Sequence, residues 1–345
     1  MLAAILTLAG LGLAASLILG VASRVFSVEV DPRIEQVVEL LPGVNCGGCG
    51  FAGCAGYAEA LVAGKAEMGL CPVNSPENEA EIAKVLGVSA AKKEKRVAVL
   101  RCQGDYTHSV RRYKYFGVMT CKAAHLLSGG AKECRFGCLG YGDCQAACKF
   151  DSIVIIDGLN HVEKQICTGC GACARACPRD LIDIVPINKK VHVLCTSTDK
   201  GGAVTKYCAF GCIGCKKCEK ECPVDAIHVE NFLAKIDYDK CINCGRCAQA
   251  CPTHCILDEV EQRYEYEITD DCTGCMLCQK KCPVGAVTGE KKQKHTIDQE
   301  KCVQCGICFE VCRKDSIRRI DPKGVATHMI KQHQEETGEE DGSRI

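Results

Sequence analysis

The sequence has no tryptophan, and phenylalanine and tyrosine together supply only 17 of its 345 residues. Large aromatic side chains provide much of the buried area of ordinary cores, so apolar burial alone predicts a weakly stabilised fold. The chain also lacks an excess of charge of either sign, because 43 basic residues balance 43 acidic ones and the formal net charge is zero. No nucleic-acid partner is expected for this chain.

Motifs for group-transfer chemistry are also missing from the body of the chain. It has no phosphate loop and no nucleophile motif, and its nine histidines have no consistent place in any pattern. Gly10, Gly12 and Ala15 imitate a dinucleotide fingerprint, but no strand precedes them. We therefore expect no catalytic residue, flavin or nicotinamide on this chain, which would move electrons rather than chemical groups.

Cysteine, in contrast, is in large excess, with 33 residues. Such a share is typical of short secreted disulfide scaffolds, but this chain is long and its cysteine count is odd. Most cysteines lie two or three residues apart, a spacing that suits ligands around a metal centre better than disulfides. Metal binding is therefore expected to contribute to folding.

The segment from Leu2 to Phe26 is apolar for about 20 residues before its first charge at Arg24, which suffices for a helix to cross a hydrocarbon layer of roughly 30 Å. A cleaved signal peptide is the alternative, but no basic residue precedes the apolar run. We predict a transmembrane helix over residues 1–27. Because Arg24 and Arg33 follow the apolar run, we expect a single-pass protein of the inner (cytoplasmic) membrane, with its N-terminus outside and its cluster domains in the cytoplasm.

The next segment contains the loop NCGGCGFAGC and a later Cys-Pro pair. Its four cysteines predict a self-contained 4Fe-4S site in a small domain over residues 28–75. The glycines of the loop let backbone N–H groups approach the metal centre. The predicted ligands are Cys46, Cys49, Cys54 and Cys71.

The rest of the chain repeats one unit: three closely spaced cysteines and, after three further residues, a fourth. The five intact copies begin at Cys167, Cys212, Cys241, Cys272 and Cys302. Most copies start about 30 residues apart, which marks a repeated supersecondary unit. A sixth copy at 134–149 is degenerate, because Tyr141 stands where the second cysteine should be, and Cys134 is its predicted replacement.

This pattern is that of bacterial two-cluster ferredoxins. Three thiolates so spaced bind three irons of a 4Fe-4S cluster, and the fourth ligand comes from the other unit of the pair. A zinc site expects two well-separated pairs of ligands, so the intact repeats favour iron-sulfur clusters. Applied pair by pair, the rule predicts six clusters, held by Cys148 with Cys167, Cys170 and Cys173; Cys177 with Cys134, Cys138 and Cys144; Cys251 with Cys212, Cys215 and Cys218; Cys222 with Cys241, Cys244 and Cys247; Cys312 with Cys272, Cys275 and Cys278; and Cys282 with Cys302, Cys305 and Cys308.

Five cysteines remain outside these sets. Residues 191–195 (VHVLC) echo residues 97–102 (VAVLRC), and Cys208 precedes its unit as Cys134 precedes its own, which indicates two copies of one insertion. The candidate ligands of an eighth cluster are Cys102, Cys121, Cys195 and Cys208. Free buried thiols are an equal alternative for these four, so seven or eight 4Fe-4S clusters are expected in all. Cys255 is predicted to be a small core residue.

The predicted fold class is α+β, with one N-terminal transmembrane helix, a small single-cluster iron-sulfur domain and three tandem two-cluster modules like those of bacterial ferredoxins. The three modules are expected at residues 97–190, 191–258 and 259–327. A linker is expected at 76–96, and a charged disordered tail at 328–345.

This order of features resembles the B-subunit family of Rnf complexes, which are ion-translocating ferredoxin:NAD oxidoreductases. The most specific element of the resemblance is the loop at 45–54 joined to a membrane helix, and the match covers essentially the whole chain. The chain departs from the simplest members by its three modules and by Tyr141, Lys149 and Arg313. The resemblance implies a membrane-anchored electron-transfer subunit that accepts electrons from reduced soluble ferredoxin. It would pass them to other membrane and peripheral subunits, which bind flavin and NAD.

Two other functions stay open at the level of sequence. A membrane-bound polyferredoxin that serves a hydrogenase or another dehydrogenase would carry the same modules. A metal-storage or structural protein would need many thiols but not cross-paired sets of four. Five lysines within the units either form a docking surface for an acidic electron donor or are ordinary solvated side chains: Lys216, Lys217, Lys220, Lys280 and Lys281.

Overall fold

The computed structural model describes residues 2–25, 31–89, 94–321 and 326–327. The chain divides into two compact units, Met1–Lys93 and Glu94–Ile345. The predicted tail at 328–345, the end of the predicted membrane helix and part of the predicted linker lie outside the described residues.

The first helix, α1, runs over Leu2–Val25. Among the described residues, no helix is long and apolar enough to cross a membrane. The predicted transmembrane helix at residues 1–27 is therefore wrong.

The first unit has three further helices, two of which begin at a capping residue. They are α2 (Pro32–Leu40), α3 (Cys54–Val62) and α4 (Pro76–Leu86). The Asp31 carboxylate accepts the N–H of Arg33 at 2.9 Å, and the Ser75 hydroxyl accepts the N–H of Asn78 at 3.2 Å. Each cap is followed by a proline, which fits the first helical position.

The core of the first unit lies among α2, α3 and α4. Val37, Tyr57 and Ile82 are almost completely buried in it. The Asn78 amide donates to the carbonyl of Leu40 at 3.0 Å and so ties α4 to the end of α2. Helix α4 thus occupies the first half of the predicted linker, while the division of the chain into seven segments stays a prediction.

The second unit contains the same strand arrangement three times. The strands are β1 (Arg96–Leu100), β2 (Ile153–Ile156), β3 (Leu159–Val162), β4 (Ile182–Pro186), β5 (Val191–Val193), β6 (Ile227–Glu230), β7 (Leu233–Ile236), β8 (Ile256–Asp258), β9 (Glu265–Ile268), β10 (Val287–Thr288), β11 (Thr296–Ile297), β12 (Ile317–Ile320) and β13 (Ala326–Thr327). In each set of four from β1 to β12, the first strand pairs antiparallel with the fourth, and the second pairs with the third. We call these sets nested motifs 1, 2 and 3. Strand β13 extends motif 3 beside β12.

Short helices connect the strands of the nested motifs. They are α5 (Cys121–Leu126), α6 (Asp143–Ala146), α7 (Ala172–Ala176), α8 (Gly201–Tyr207), α9 (Lys217–Lys220), α10 (Arg246–Gln249), α11 (Leu277–Lys281) and α12 (Ile307–Glu310). The inner hairpins of motifs 1 and 2 turn at Asp157-Gly158 and Asn231-Phe232, where all four residues have positive φ. Such a two-residue turn matches the twist of the flanking strands.

Each nested motif has its own small core, in which cysteines pack beside aliphatic side chains. In motif 1, Val97, Leu181 and Ile182 lie with Cys167 and Cys173. The motifs therefore place thiols at the positions that large apolar side chains would occupy in an ordinary core. This arrangement agrees with the scarcity of aromatic residues.

Candidate metal centres

The backbone of the cysteine loops is the same in all six units. The residue after the second cysteine position has positive φ and precedes a short helix that carries the third cysteine. These residues are Gly142, Gly171, Lys216, Gly245, Met276 and Gly306. The degenerate unit keeps this conformation although Tyr141 replaces its cysteine. Each loop therefore turns its third cysteine inward, and that cysteine is buried in all six units.

Close packing against the strands makes glycine necessary in two of these loops. A Cβ on Gly169 would lie 2.4 Å from the Arg96 carbonyl oxygen, and one on Gly214 would lie 2.9 Å from the Phe232 Cα. Both glycines also have positive φ, which glycine adopts without steric cost. The first loop is thus seated directly on β1, and the second on the hairpin turn of motif 2.

Five cavities of the second unit are each lined by four cysteines. Together with three sets of four cysteines described below, they make eight candidate sites, which we number 1 to 8. The cavity sets are Cys148, Cys167, Cys170 and Cys173 (site 2); Cys121, Cys138, Cys144 and Cys177 (site 3); Cys102, Cys134, Cys195 and Cys208 (site 4); Cys222, Cys241, Cys244 and Cys247 (site 5); and Cys272, Cys275, Cys278 and Cys312 (site 7). At sites 2, 5 and 7, three cysteines come from one loop and the fourth from the other unit of the same motif. The structure brings these three sets together as expected.

Two more sets are recognised from neighbouring thiols. Site 6 comprises Cys212, Cys215, Cys218 and Cys251, and site 8 comprises Cys282, Cys302, Cys305 and Cys308. Burial and the nearby thiols of the other three site 6 cysteines raise the pKa of Cys218 to about 11. At site 8, burial, with Cys282 and Cys302 nearby, raises the pKa of Cys305.

Site 3 differs from the expected set, because Cys121 takes the place predicted for Cys134. The Asp143 carboxylate accepts the N–H of Cys121 at 2.8 Å and that of Lys122 at 3.0 Å. This capping holds the first turn of α5 against α6, which carries Cys144. Tyr141 packs with Cys121 and contributes no thiol. The centroid of its ring lies 5.4 Å from that of Tyr115.

Site 4 collects Cys134 together with three of the four cysteines proposed for an eighth cluster. Cys121, the fourth member of that predicted set, lies in site 3. The sequence contained the signal for this exchange, since Cys134 and Cys208 precede their units at the same distance. The degenerate unit had instead suggested that Cys134 completes its own loop.

Site 1 is the N-terminal set of Cys46, Cys49, Cys54 and Cys71, three of which pack in the core of the first unit. The Asn45 side chain accepts the N–H of Cys54 at 2.8 Å, and the N–H of Gly48 lies 3.5 Å from the Cys46 sulfur. A Cβ on Gly53 would lie 2.9 Å from the Asn45 Oδ1. The loop is therefore closed around Asn45.

Burial sets the protonation of the bare thiols. It raises the pKa values of Cys173, Cys247 and Cys308 to about 12. A metal ligand must be a thiolate, so coordination has to displace these protons. Cluster assembly at these sites therefore releases protons and is opposed by acid.

Two side chains that the sequence did not assign to any site lie against the sites. Cys255 is almost completely buried, as predicted for a core residue, and its sulfur lies 3.7 Å from that of Cys251 in site 6. His295 is fully buried in the wall of site 7, with Nδ1 3.9 Å from the Cys272 sulfur and Nε2 3.2 Å from the Met276 sulfur. Neither belongs to a repeat position, so spacing alone carried no signal for them.

The five lysines within the units are exposed, as are Cys215 and Cys275 beside them. Lys216, Lys217 and Lys220 flank Cys215 on and before α9. Lys280 and Lys281 end α11, which follows Cys275. Sites 6 and 7 thus each have one ligand position at the surface next to positive charge.

The donor sets fit 4Fe-4S clusters. Each site offers four sulfur donors, the ligand number such a cluster requires, and at five sites the donors surround a cavity. Within the described ranges, no three His, Cys, Asp or Glu side chains converge as they would around a single metal ion. That all 32 cysteines bind metal stays a prediction.

Family models match most of the cysteine-bearing chain. A model whose description names an Fe-S cluster matches residues 41–73. Models described as 4Fe-4S dicluster domains match residues 166–226 and 211–255, 234–289, and 271–317. Multiple 4Fe-4S domains of the ferredoxin type are therefore present.

Three curated relatives are similar over most of their length. The chain is 46% identical over 244 residues to the B subunit of the Na(+)-translocating ferredoxin:NAD(+) oxidoreductase complex of Acetobacterium woodii, a match that covers 70% of this chain and 73% of the relative. It is 47% identical to the B subunit of an ion-translocating oxidoreductase complex of Methanosarcina acetivorans, a match that covers 68% and 90%. It is 43% identical to the B subunit of the proton-translocating ferredoxin:NAD(+) oxidoreductase complex of Clostridium ljungdahlii, a match that covers 66% and 81%.

Proposed function

This chain belongs to the B-subunit family of the ion-translocating ferredoxin:NAD(+) oxidoreductase complexes, and from that premise we propose that it accepts electrons from a reduced ferredoxin at the second unit. It is an electron-transfer subunit of such an oxidoreductase. Bound 4Fe-4S clusters supply reversible one-electron storage. The other subunits of the complex, which bind flavin and NAD, receive the electrons.

One observation carries this proposal: sets of four cysteines are drawn from two different loops at site after site. In sites 2, 5 and 7 the fourth cysteine comes from the other unit of the motif. Each loop thereby contributes to two neighbouring sites, so the sites of a motif are held as a pair. This arrangement suits electron transfer between clusters, whereas a storage protein has no need of it. The cluster domains work on the cytoplasmic side, where thiols stay reduced.

The acceptor surface lies at site 6. Cys215 is exposed there, and the exposed Lys216, Lys217 and Lys220 lie beside it on and before α9, with Lys216 3.8 Å from Glu219. Clusters make a ferredoxin acidic, because one 4Fe-4S core together with its four thiolates carries a net charge of about −2. An acidic donor is steered toward a basic patch, and such steering weakens with salt.

Metal analysis and redox titration test the cluster assignment. Protein purified without oxygen is expected to contain about 28 to 32 iron atoms per chain, from seven or eight clusters of four. Ferredoxin-dependent reduction is expected to produce paramagnetic signals that disappear on reoxidation. Zinc in place of iron, or iron that never changes oxidation state, would overturn the proposal.

Charge reversal tests the acceptor surface. Lys217→Glu is expected to slow electron uptake from ferredoxin several-fold at low salt and to weaken its salt dependence, with iron content unchanged. Lys281→Glu, at the equivalent helix of motif 3, is the matched control and is expected to have a smaller effect. Equal slowing by both changes, or by neither, would remove site 6 as the entry point.

A further inference from the structure

The cavity of site 4 lies between nested motifs 1 and 2. Cys102 follows β1 and Cys195 follows β5, the first strands of the two motifs. Cys134 lies four residues before Cys138 of site 3, and Cys208 directly follows α8. Two cysteines thus come from each copy of the inserted segment, so the site is complete only when both copies are folded together.

Backbone pairing between the insertions positions Cys208. Ser109 forms a β-bridge with Cys208. The N–H of Val110 donates to the carbonyl of Tyr207 at 2.9 Å, and the N–H of Ala209 donates to that of His108 at 3.1 Å. These bonds hold the end of α8 against the segment that follows Cys102.

The sulfur atoms of site 4 are linked by backbone N–H groups to the sites on either side. The N–H of Cys138, in site 3, lies 3.3 Å from the Cys102 sulfur. The N–H of Cys212, in site 6, lies 3.3 Å from the Cys195 sulfur. The two contacts are equivalent in the two insertions, and they make site 4 a direct neighbour of both sites.

Two glycines line the cavity close to the thiols. A Cβ on Gly137 would lie 3.5 Å from the Cys134 sulfur and 3.6 Å from the Cys102 sulfur. A Cβ on Gly104 would lie 3.5 Å from the Cys208 sulfur. The peptide backbone therefore approaches all three sulfurs closely, as it does around the glycine-rich loop of site 1.

Buried positive charge lies beside the same cavity. Lys132 is 2% exposed and donates to the carbonyl of Gly104. Arg179 is half-buried, lines the cavity of site 3 and donates to the carbonyls of Gly129, Gly137 and, at 3.3 Å, Cys134 of site 4. In the described part of the chain, neither cation pairs with a carboxylate. A buried cation such as Lys132 is costly without an anion. A thiolate-bound cluster at site 4 supplies an anion near Lys132, and Arg179 lies between the thiolates of sites 3 and 4.

We propose that Cys102, Cys134, Cys195 and Cys208 bind one 4Fe-4S cluster at site 4, between the clusters of site 3 and site 6. The assignment rests on the proposed function only in the type of cluster. It makes Cys121 the fourth ligand of site 3, so every intact or degenerate unit obtains four thiolates. The cluster joins motifs 1 and 2 and exchanges single electrons with its two neighbours, gaining one from a reduced neighbour and giving it to an oxidised one.

Native mass spectrometry of the anaerobic wild-type protein tests the count without any substitution. Eight clusters are expected, each adding about 350 Da for four irons and four sulfides. A species saturated at seven clusters would overturn the proposal while leaving the electron-transfer function intact. A single zinc at the eighth position would overturn it as well.

Pairs of substitutions test which thiols share the site. Cys134→Ala and Cys195→Ala are each expected to lose about four irons, and the double variant to lose no more than either. Cys121→Ala combined with Cys195→Ala is expected to lose about eight, because those ligands belong to different clusters. Cys255→Ala, a buried cysteine outside all the sets, is the control and is expected to keep every cluster.

The outcomes separate this proposal from the proposed function. If the Cys134 and Cys195 losses add to about eight irons, or if Cys195→Ala loses none, site 4 is not a cluster site. The remaining clusters in each variant report folding through their absorbance and paramagnetic signals. If the wild-type protein holds no redox-active iron at all, the proposed function fails instead.

Discussion

Removal of the Cys255 thiol is expected to lower the reduction potential of the cluster at site 6. Cys255 is 1% exposed, and its sulfur lies 3.7 Å from that of Cys251. Hydrogen bonding with Cys212 and Cys251, together with burial, raises the pKa of the Cys255 thiol. A ligand sulfur is a thiolate when it binds a cluster, so the protonated Cys255 thiol then donates its single proton to it. The same bonds lower the pKa of Cys212 to about 6 and that of Cys251 to about 5.

The size of the shift follows from the strength of the lost hydrogen bond. Reduction adds negative charge to the cluster and its ligands, so a donor to those sulfurs stabilises the reduced form more than the oxidised form. Hydrogen bonds to ligand sulfurs are among the determinants of cluster potential. A net contribution of about 0.5–1 kcal/mol corresponds to about 20–45 mV for one electron, since 59 mV is a tenfold change.

The assay is a redox titration of the whole protein followed by electron paramagnetic resonance. In Cys255→Ala, one component is expected to move to lower potential while the others stay in place and the iron content is unchanged. Cys255→Ser keeps a donor at the same position and is the matched control, with a smaller shift expected. An unshifted alanine variant, or a serine variant that shifts as far as alanine, would refute the reasoning.

Three further predictions concern residues outside the sets of ligands. Gly169→Ala combines left-handed backbone with a Cβ 2.4 Å from a carbonyl oxygen, at a cost of about 2–5 kcal/mol. It is expected to lose the site 2 cluster in iron analysis, while Gly285→Ala, with φ of 63° and open space around it, keeps all clusters; equal retention in both would count against close packing of the loop. Asp143→Ala leaves two N–H groups at Cys121 and its neighbour without their acceptor and is expected to release about four irons from site 3, whereas full retention would show that the cap is dispensable. Burial lowers the pKa of His192 to about 4, so the unfolded chain binds the extra proton between about pH 6.5 and 4. As the pH is lowered through that window, the melting temperature of the wild-type protein is therefore expected to fall more steeply than that of His192→Gln. Parallel plots of melting temperature against pH for the two proteins would contradict this.

Much of the site pattern could be read from spacing. A run of three cysteines two residues apart has little freedom, because one short loop must present all three sulfurs to one centre. The cross-pairing of Cys148 with the loop at Cys167 followed from the ferredoxin pattern, and the structure brings these thiols together.

Other features depended on contacts that no spacing rule describes. The exchange of Cys121 and Cys134 between sites 3 and 4 is decided by the Asp143 cap and by pairing of the two insertions, whose members lie far apart in the chain. The contact of Cys255 with site 6 likewise joins residues outside the repeat. The apolar composition of the first segment predicted a membrane span, but no helix among the described residues meets that requirement.

The cysteine spacing and the tertiary packing therefore determined different features of the sites. The order of cysteines along the chain was enough to predict the kind of cofactor, the repeated unit and the cross-paired sets of sites 2, 5 and 7, because these depend on ligand number and loop length. Tertiary structure alone decided which distant thiols share a cavity between motifs and which buried cations face them. These contacts depend on how whole loops pack against one another, and the cysteine spacing within a single loop does not predict that packing.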